Sequence, residues 1–418
     1  MLFAAMLSVA GVMISSALPA HADTVVTQIS VGSDPHGIEI TPNGKQAYVT
    51  RNTPNTVSVI DIATNAVTKD IRVGTNPRGV AITSDSAEAY VTNINSSNVS
   101  VIDTEKNTVV ATIGVGNSPV GVAITGTRAY VVNAGADTVS VIDTANKNVI
   151  ETISGLGDYS NSVAITPDGS KAFVTNTYGN SVSVIDTVTN TVSTTIRDLG
   201  SSPNGLAITP DGADVYVANL SSGTVSVIDT QRDVVTDTIS VGPGPSDVAI
   251  TPDGTRVYVT RYFDNSVAVI DTATRSVTPV GVNWPSGVAI TPDGAYAYLG
   301  DTRNGNVSVL AIGKDAPTLA GEPTAGVVGT PYRDAFSVTG QPAPVVTVTG
   351  GDLPAGLTLS RTGELSGTPT TAGTFIFTVT ATNGFGSPVT LDATLTVAAA
   401  PERPVTGSLT FFGELFGS

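Results

Sequence analysis

The chain has 418 residues, no cysteine and a formal net charge of −16. Without cysteine there is no disulfide and no thiolate–metal chemistry. The carboxylate surplus argues against nucleic acid, whose phosphates need clustered Lys and Arg, and is compatible with cations or basic partners.

Met1 to Leu18 is apolar and uncharged and runs through Pro19 into Ala20-His21-Ala22. Residues 1–22 read as a signal peptide with an Ala-x-Ala cleavage site, although the usual basic n-region is missing. The alternative, an uncleaved anchor, needs about 20 apolar residues; Pro19 and the small residues beside it favour removal. No later stretch is long enough to span a bilayer. The mature chain keeps its full net charge and is expected to be secreted, extracellular or cell-surface associated, with no transmembrane span.

From residue 23 to 313 one phrase repeats. Its Val-x-Val-Ile-Asp ending places Asp at 61, 103, 143, 186, 229 and 271, and a seventh copy, Val307-Ser308-Val309-Leu310-Ala311, lacks the Asp. A period of about 40–45 residues with several short strands per unit predicts propeller blades rather than a helical array. Each unit divides into an inner strand (Gly79 to Thr83), a turn such as Thr209-Pro210-Asp211-Gly212, and a second strand (Tyr90 to Asn93). A Val-Ser-Val-Ile-Asp strand follows, and then an outer Thr-Ile-x-Val-Gly run. The β-branched and aromatic runs punctuated by Gly, Pro, Asn and Asp fit strands and tight turns. Val26 to Val31 matches an outer strand but precedes the first inner one, while the seventh unit stops after its third strand. The N-terminal strand is therefore expected to complete the last blade and close the ring.

The words Tyr90-Val91-Thr92-Asn93 and the neighbouring Val-Ile-Asp-Thr segments resemble the YVTN family of β-propeller repeats, in register over residues 26–313. The resemblance implies a seven-bladed propeller of the kind found in secreted or surface proteins of bacteria and archaea. It does not fix an activity.

Residues 314–398 have a different grammar. Leu353-Pro354-Ala355-Gly356-Leu357, Thr362-Gly363-Glu364-Leu365-Ser366-Gly367-Thr368-Pro369 and Gly373-Thr374-Phe375-Ile376-Phe377 resemble the Ig-like modules of bacterial surface proteins. Phe375, Phe377 and Val379 alternate with Thr374, Thr378 and Thr380, as in a half-buried antiparallel strand. The expected class is thus all-β: a seven-bladed β-propeller closed by the N-terminal strand, followed by a small Ig-like β-sandwich. Residues 399–418 read as a flexible tail ending apolar in Phe411, Phe412 and Phe416, either a loose terminus or a handle for the envelope or a partner.

Internal repetition exposes departures. Before the inner-strand Gly or its replacement, successive blades carry His36, Arg78, Val120, Asn161, Asn204, Ser246 and Ser286, which should ring the mouth of the central channel. Where most copies have the Asn of Tyr-Val-Thr-Asn, Arg51, Arg261 and Asp301 appear. Tyr262, Phe263, Asp264, Tyr178, Trp284 and Arg303 lie in nearby loops, and aromatic and Arg side chains on one rim suit a contact surface. Six blades place Ala mid-way along the inner strand and blade one places Glu39 there. A carboxylate so near the axis needs the channel or a cation, for which Arg78, His36 or Arg51 are at hand. The recurring Asp of Val-Ile-Asp is expected to bond nearby backbone N–H groups rather than to build a metal ring.

His36 is the single histidine outside residues 1–22, and no Gly-x-Ser-x-Gly elbow occurs, so the catalytic inventory is thin. The leading expectation is a non-enzymatic, monomeric binding or adhesion protein with a protein or glycan ligand and no cofactor. The alternatives are a passive envelope spacer and a propeller enzyme, since similar propellers include lactonases and domains of quinone- or copper-dependent oxidoreductases. In that case Glu39, Asn161, Asn204 and Asp301 are the set to hold calcium and polarise a lactone carbonyl.

Overall fold

The computed structural model describes residues 23–313, 315–341, 344–383 and 387–400. The expected signal peptide and most of the tail, residues 401–418, lie outside them. Two compact units divide at Gly313/Lys314. No helix among the described residues is long and apolar enough to cross a membrane.

The first unit is a β-propeller of seven four-stranded antiparallel sheets among the described residues. Blade one runs Pro35–Ile40, Gln46–Arg51, Thr56–Asp61 and Ala66–Arg72, and five more blades repeat this order. In the seventh, Pro285–Ile290, Tyr296–Asp301 and Asn306–Ala311 are joined on the outside by Thr24–Ser30, which pairs antiparallel with Asn306–Ala311. Successive inner strands touch all the way round, blade seven against blade one included.

The strands are apolar on both sides because each sheet is covered by two neighbours. Tyr48, Tyr90, Tyr130, Tyr216, Tyr258 and Tyr298 are fully buried between blades, with Phe173 in the same place in blade four. Their hydroxyls are not wasted. Tyr48 donates to Asn107 Oδ1 of blade two at 2.6 Å, Tyr130 to Asn190 Oδ1 at 3.0 Å and Tyr298 to Asn65 Oδ1 at 2.5 Å. In each case a second-strand tyrosine reaches the third-to-fourth-strand turn of the next blade. Inside each blade the Asn of Tyr-Val-Thr-Asn ties the third strand, as Asn176 does through Ser181 (3.0 Å) and Ser183 (2.9 Å). The Asp that ends that strand accepts turn N–H groups, for instance Thr189 N on Asp186 Oδ1 at 2.9 Å.

The inner strands crowd at the axis. Each pairs with the second strand through a register shift just after its first residue, as between Pro35 and Ile38. At this bulge five blades carry Gly, because the neighbouring backbone occupies the space of a side chain. A Cβ on Gly79 would lie 2.4 Å from the Val120 carbonyl oxygen, and one on Gly37 would lie 2.2 Å from that of Arg78. Gly79→Ala is expected to destabilise the propeller by about 1–3 kcal/mol, as overpacking does, without changing the far-UV spectrum. A urea midpoint equal to that of the parent would refute this.

The second unit is an Ig-like β-sandwich. A four-stranded sheet (Gly326–Val327, Val389–Ala398, Gly373–Thr382, Val345–Gly351) is accompanied by a three-stranded and a two-stranded one. Phe377 and Val379 enter its core with Tyr332, Leu365 and Leu395, and Phe375 packs against it. Thr374 faces solvent, as does Ile376, which is 68% exposed.

Candidate functional site

The bulges that let seven strands converge also turn the first residues of each strand into the axis. The result is a cavity of about 570 Å³ along the propeller axis. His36, Arg78, Val120, Asn161, Asn204, Ser246 and Ser286 all line it, as does Glu39 further along the strand of blade one. Tyr262 and Phe263 reach it from the second-to-third-strand loop of blade six, and Leu220 from blade five.

At the mouth, His36 sits between two charged groups. Its Nδ1 is 2.7 Å from an Arg78 guanidinium nitrogen, and its Nε2 is 3.1 Å from Asp34 Oδ1. Burial, reinforced by Arg78, pulls the imidazole down to about 4. At neutral pH the ring is therefore uncharged, with Nδ1 accepting from Arg78 and Nε2–H donating to Asp34. Arg78 is itself half-buried, which lowers its affinity for its proton. Asp34 and Asp247 oppose that, and the hydroxyls of Tyr159 and Tyr262 do so further. Opposite, Asn161 donates to Asn204 Oδ1 at 2.7 Å.

Two carboxyl groups sit below the mouth. Glu39 is pushed up to about 7 by burial, then by the negative charge of Asp247. Asp247 is pushed up to about 6, again by burial, although it accepts the Val288 N–H at 3.0 Å and feels Arg78. Among the influences on Glu39 there is no cation. The three expected counter-ions are engaged elsewhere: Arg78 and His36 with one another, and Arg51 inside blade one.

Asp247 escaped the sequence reading although a signal was present. It occupies the bulge position that is Gly in five blades and Ser162 in a sixth, and its carboxylate reaches across to the space beside Gly205. The converse error concerns Arg51, Arg261 and Asp301. Arg51 is 7% exposed; its guanidinium bonds the Val31 carbonyl and Ser58 Oγ (3.0 Å) and pairs with Asp70 at 3.3 Å. Arg261 bonds the Val241 carbonyl at 2.8 Å and pairs with Asp264 at 2.9 Å. Asp301 is fully buried and accepts from Arg303 N and Asn304 N at 3.2 and 3.0 Å. All three fasten their own blade, and none lines the cavity. The set Glu39, Asn161, Asn204 and Asp301 is thus not brought together, because Asp301 is withdrawn into blade seven. Among the described residues no cluster of three or more His, Asp or Glu is placed to hold a metal ion.

Aromatic side chains crown the cavity on two sides. Tyr262 packs edge-on against Phe263 at 5.5 Å and Trp284 at 5.7 Å, and the Arg303 guanidinium lies 3.2 Å over the Trp284 ring. Across the mouth Tyr159 and Tyr178 stack at 4.5 Å. Phe263 and Tyr178 are 63% and 66% exposed. The arrangement can hold a polar molecule in the channel and stack flat apolar faces at its rim.

Known proteins resemble this chain in parts. Residues 312–398 match the family described as "Putative Ig domain". Residues 115–263 match the family model "SMP-30/Gluconolactonase/LRE-like region", and residues 230–333 match "Lactonase, 7-bladed beta-propeller". No curated protein matches the chain. Among solved structures, Kuenenia stuttgartiensis hydrazine synthase is similar with a TM-score of 0.61 and 23% identity, over 66% of this chain and 95% of that one. A likeness so distant in sequence shows the fold.

Proposed function

We propose that this seven-bladed β-propeller repeat protein with its C-terminal Ig-like domain is an exported, surface-associated binding protein that holds a glycan at the propeller mouth. The observation that carries the reading is the cavity itself: carboxyl, amide and guanidinium groups lie beneath a rim of stacked, exposed aromatic rings. Sugars present hydroxyls to the first kind of group and flat C–H faces to the second. The apolar, charge-free segment 1–22 supports export, and the Ig-like module serves as spacer or second contact.

Lactone hydrolysis is the second reading. It draws on the two lactonase-type matches, over residues 115–263 and 230–333, and on Glu39, a channel carboxyl poised near neutrality as a general base is.

One pair of assays separates them. The full chain is expected to bind envelope glycans, and Tyr178→Ala together with Phe263→Ala to weaken binding by about tenfold, the scale of a lost aromatic anchor. Lactones with calcium are expected to show no turnover. Turnover that Glu39→Ala abolishes would replace the binding reading by the enzymatic one.

A further inference from the structure

The charges of the channel are unevenly spread along its depth. Arg78 belongs to the ring of side chains at the mouth, Asp247 lies one residue further along its strand, and Glu39 three residues beyond the ring position His36. At about 3.3 Å per strand residue, less at the bulge, Glu39 lies roughly 7–10 Å below the ring.

Neither end is neutralised. Of the five N–H donors of the Arg78 guanidinium, His36 takes up one nitrogen at 2.7 Å, and no carboxylate among the described residues lies within ion-pair distance of Arg78. A half-buried guanidinium in a cavity wall with donors to spare suits an oxyanion. At the other end the negative charge of Asp247 bears on Glu39, on which no cation acts, while Asp247 feels Arg78 without forming an ion pair with it. A simple anion would satisfy Arg78 and leave its charge facing two carboxyls. A simple cation would satisfy the carboxyls and face Arg78. Only a molecule with both charges serves both ends.

Resting on the reading of the channel as a binding site, we propose that it takes a small zwitterion, with a carboxylate on Arg78 at the mouth and an ammonium between Asp247 and Glu39 below. Burial, and for Glu39 also the charge of Asp247, leave the two carboxyls partly protonated between about pH 6 and 7; the ammonium takes the place of that proton. The other titratable groups facing them are His36, Asp34, Tyr159 and Tyr262, and His36, pulled down to about 4, stays uncharged in that range.

The test uses the purified full chain and ω-amino acids from glycine through γ-aminobutyrate to ω-aminooctanoate, followed by calorimetry. One intermediate length is expected to bind best, and the alkyl carboxylate and alkylamine of that length at least about tenfold more weakly. Binding between about pH 6 and 7 should release protons, seen as a dependence on buffer ionisation enthalpy. Affinity should fall by about tenfold per pH unit below about 6. Glu39→Gln should weaken the zwitterion and not the alkyl carboxylate; Arg78→Gln should weaken both. If gluconate, a polyhydroxy acid without an ammonium, binds and no amino acid does, the zwitterion assignment falls and the binding reading survives. If neither binds and envelope glycans are ignored as well, both fall.

Discussion

Replacing Asp23 by alanine is expected to destabilise the propeller by about 2–3 kcal/mol, the cost of removing a buried charged acceptor from its hydrogen bonds. Its carboxylate, 5% exposed, pairs with Arg256 at 3.0 Å, accepts the Tyr258 hydroxyl at 2.7 Å and accepts the Gly313 N–H at 2.7 Å. The reason lies in the ring. In three other blades the tyrosine is met by an Asn from the next blade's third-to-fourth-strand turn. Blade seven has no such turn, because its fourth strand enters from the other end of the chain. Asp23 stands where that Asn would be and also fastens the propeller's last residue. Asp23→Asn keeps the hydrogen-bond acceptor and loses the charge, so it should fall between parent and alanine variant in urea unfolding. An alanine variant within about 0.5 kcal/mol of the parent would mean that the junction of blades six and seven holds without this residue.

The second large effect is on pH. An acid whose pKa is raised on folding binds its proton more tightly in the native state, so protonation favours folding and stability falls as pH rises. Glu39, ordinarily 4.5 and here about 7, and Asp247, ordinarily 3.8 and here about 6, place that fall between about pH 4 and 7. The Glu39 shift corresponds to about 3 kcal/mol at most, and to about 1–2 kcal/mol once channel water is allowed for. Turn carboxylates such as Asp168 and Asp211, lowered chiefly by side-chain hydrogen bonds from Thr166 and Thr209, work the other way and below about pH 4. The melting temperature is therefore expected to be higher at pH 5 than at pH 8. Glu39→Gln should raise it at pH 8 by a few degrees and by much less at pH 5. An equal effect at both pH values would show that Glu39 is ionised throughout.

How much of this was legible in the chain depends on what repetition encodes. Each unit reports which residue type a position needs, so the blades, the mouth ring and the oddity of Glu39 could all be read from the spacing of one phrase. Repetition does not report toward which neighbour a side chain points. Arg51, Arg261 and Asp301 looked like rim residues because they break the Tyr-Val-Thr-Asn word. That Asn, however, faces a Ser seven residues on, as Asn93 faces Ser100 and Asn219 faces Ser226. The paired recurrence was in the sequence and marks an internal fastening. Asp247 was hidden for the opposite reason: a Gly reads as a turn signal, and here it records a close approach of two backbones. The missing counter-ion of Glu39 was beyond sequence, because the affinity of Arg78 for His36 is decided by which blades are adjacent.

The pairing of Thr24–Ser30 with Asn306–Ala311 also sets an order in time. Gln28 reaches Ser308 across 280 residues, and closing a loop of that length costs about 5 kcal/mol before any contact repays it. Synthesis makes one partner first and the other almost last within the propeller, so every intermediate length of nascent chain carries a lone early strand and an unfinished sheet. Prematurely terminated products would display two unpaired edges at once, the state most prone to aggregation and proteolysis. Completeness of the propeller is thereby checked by geometry alone.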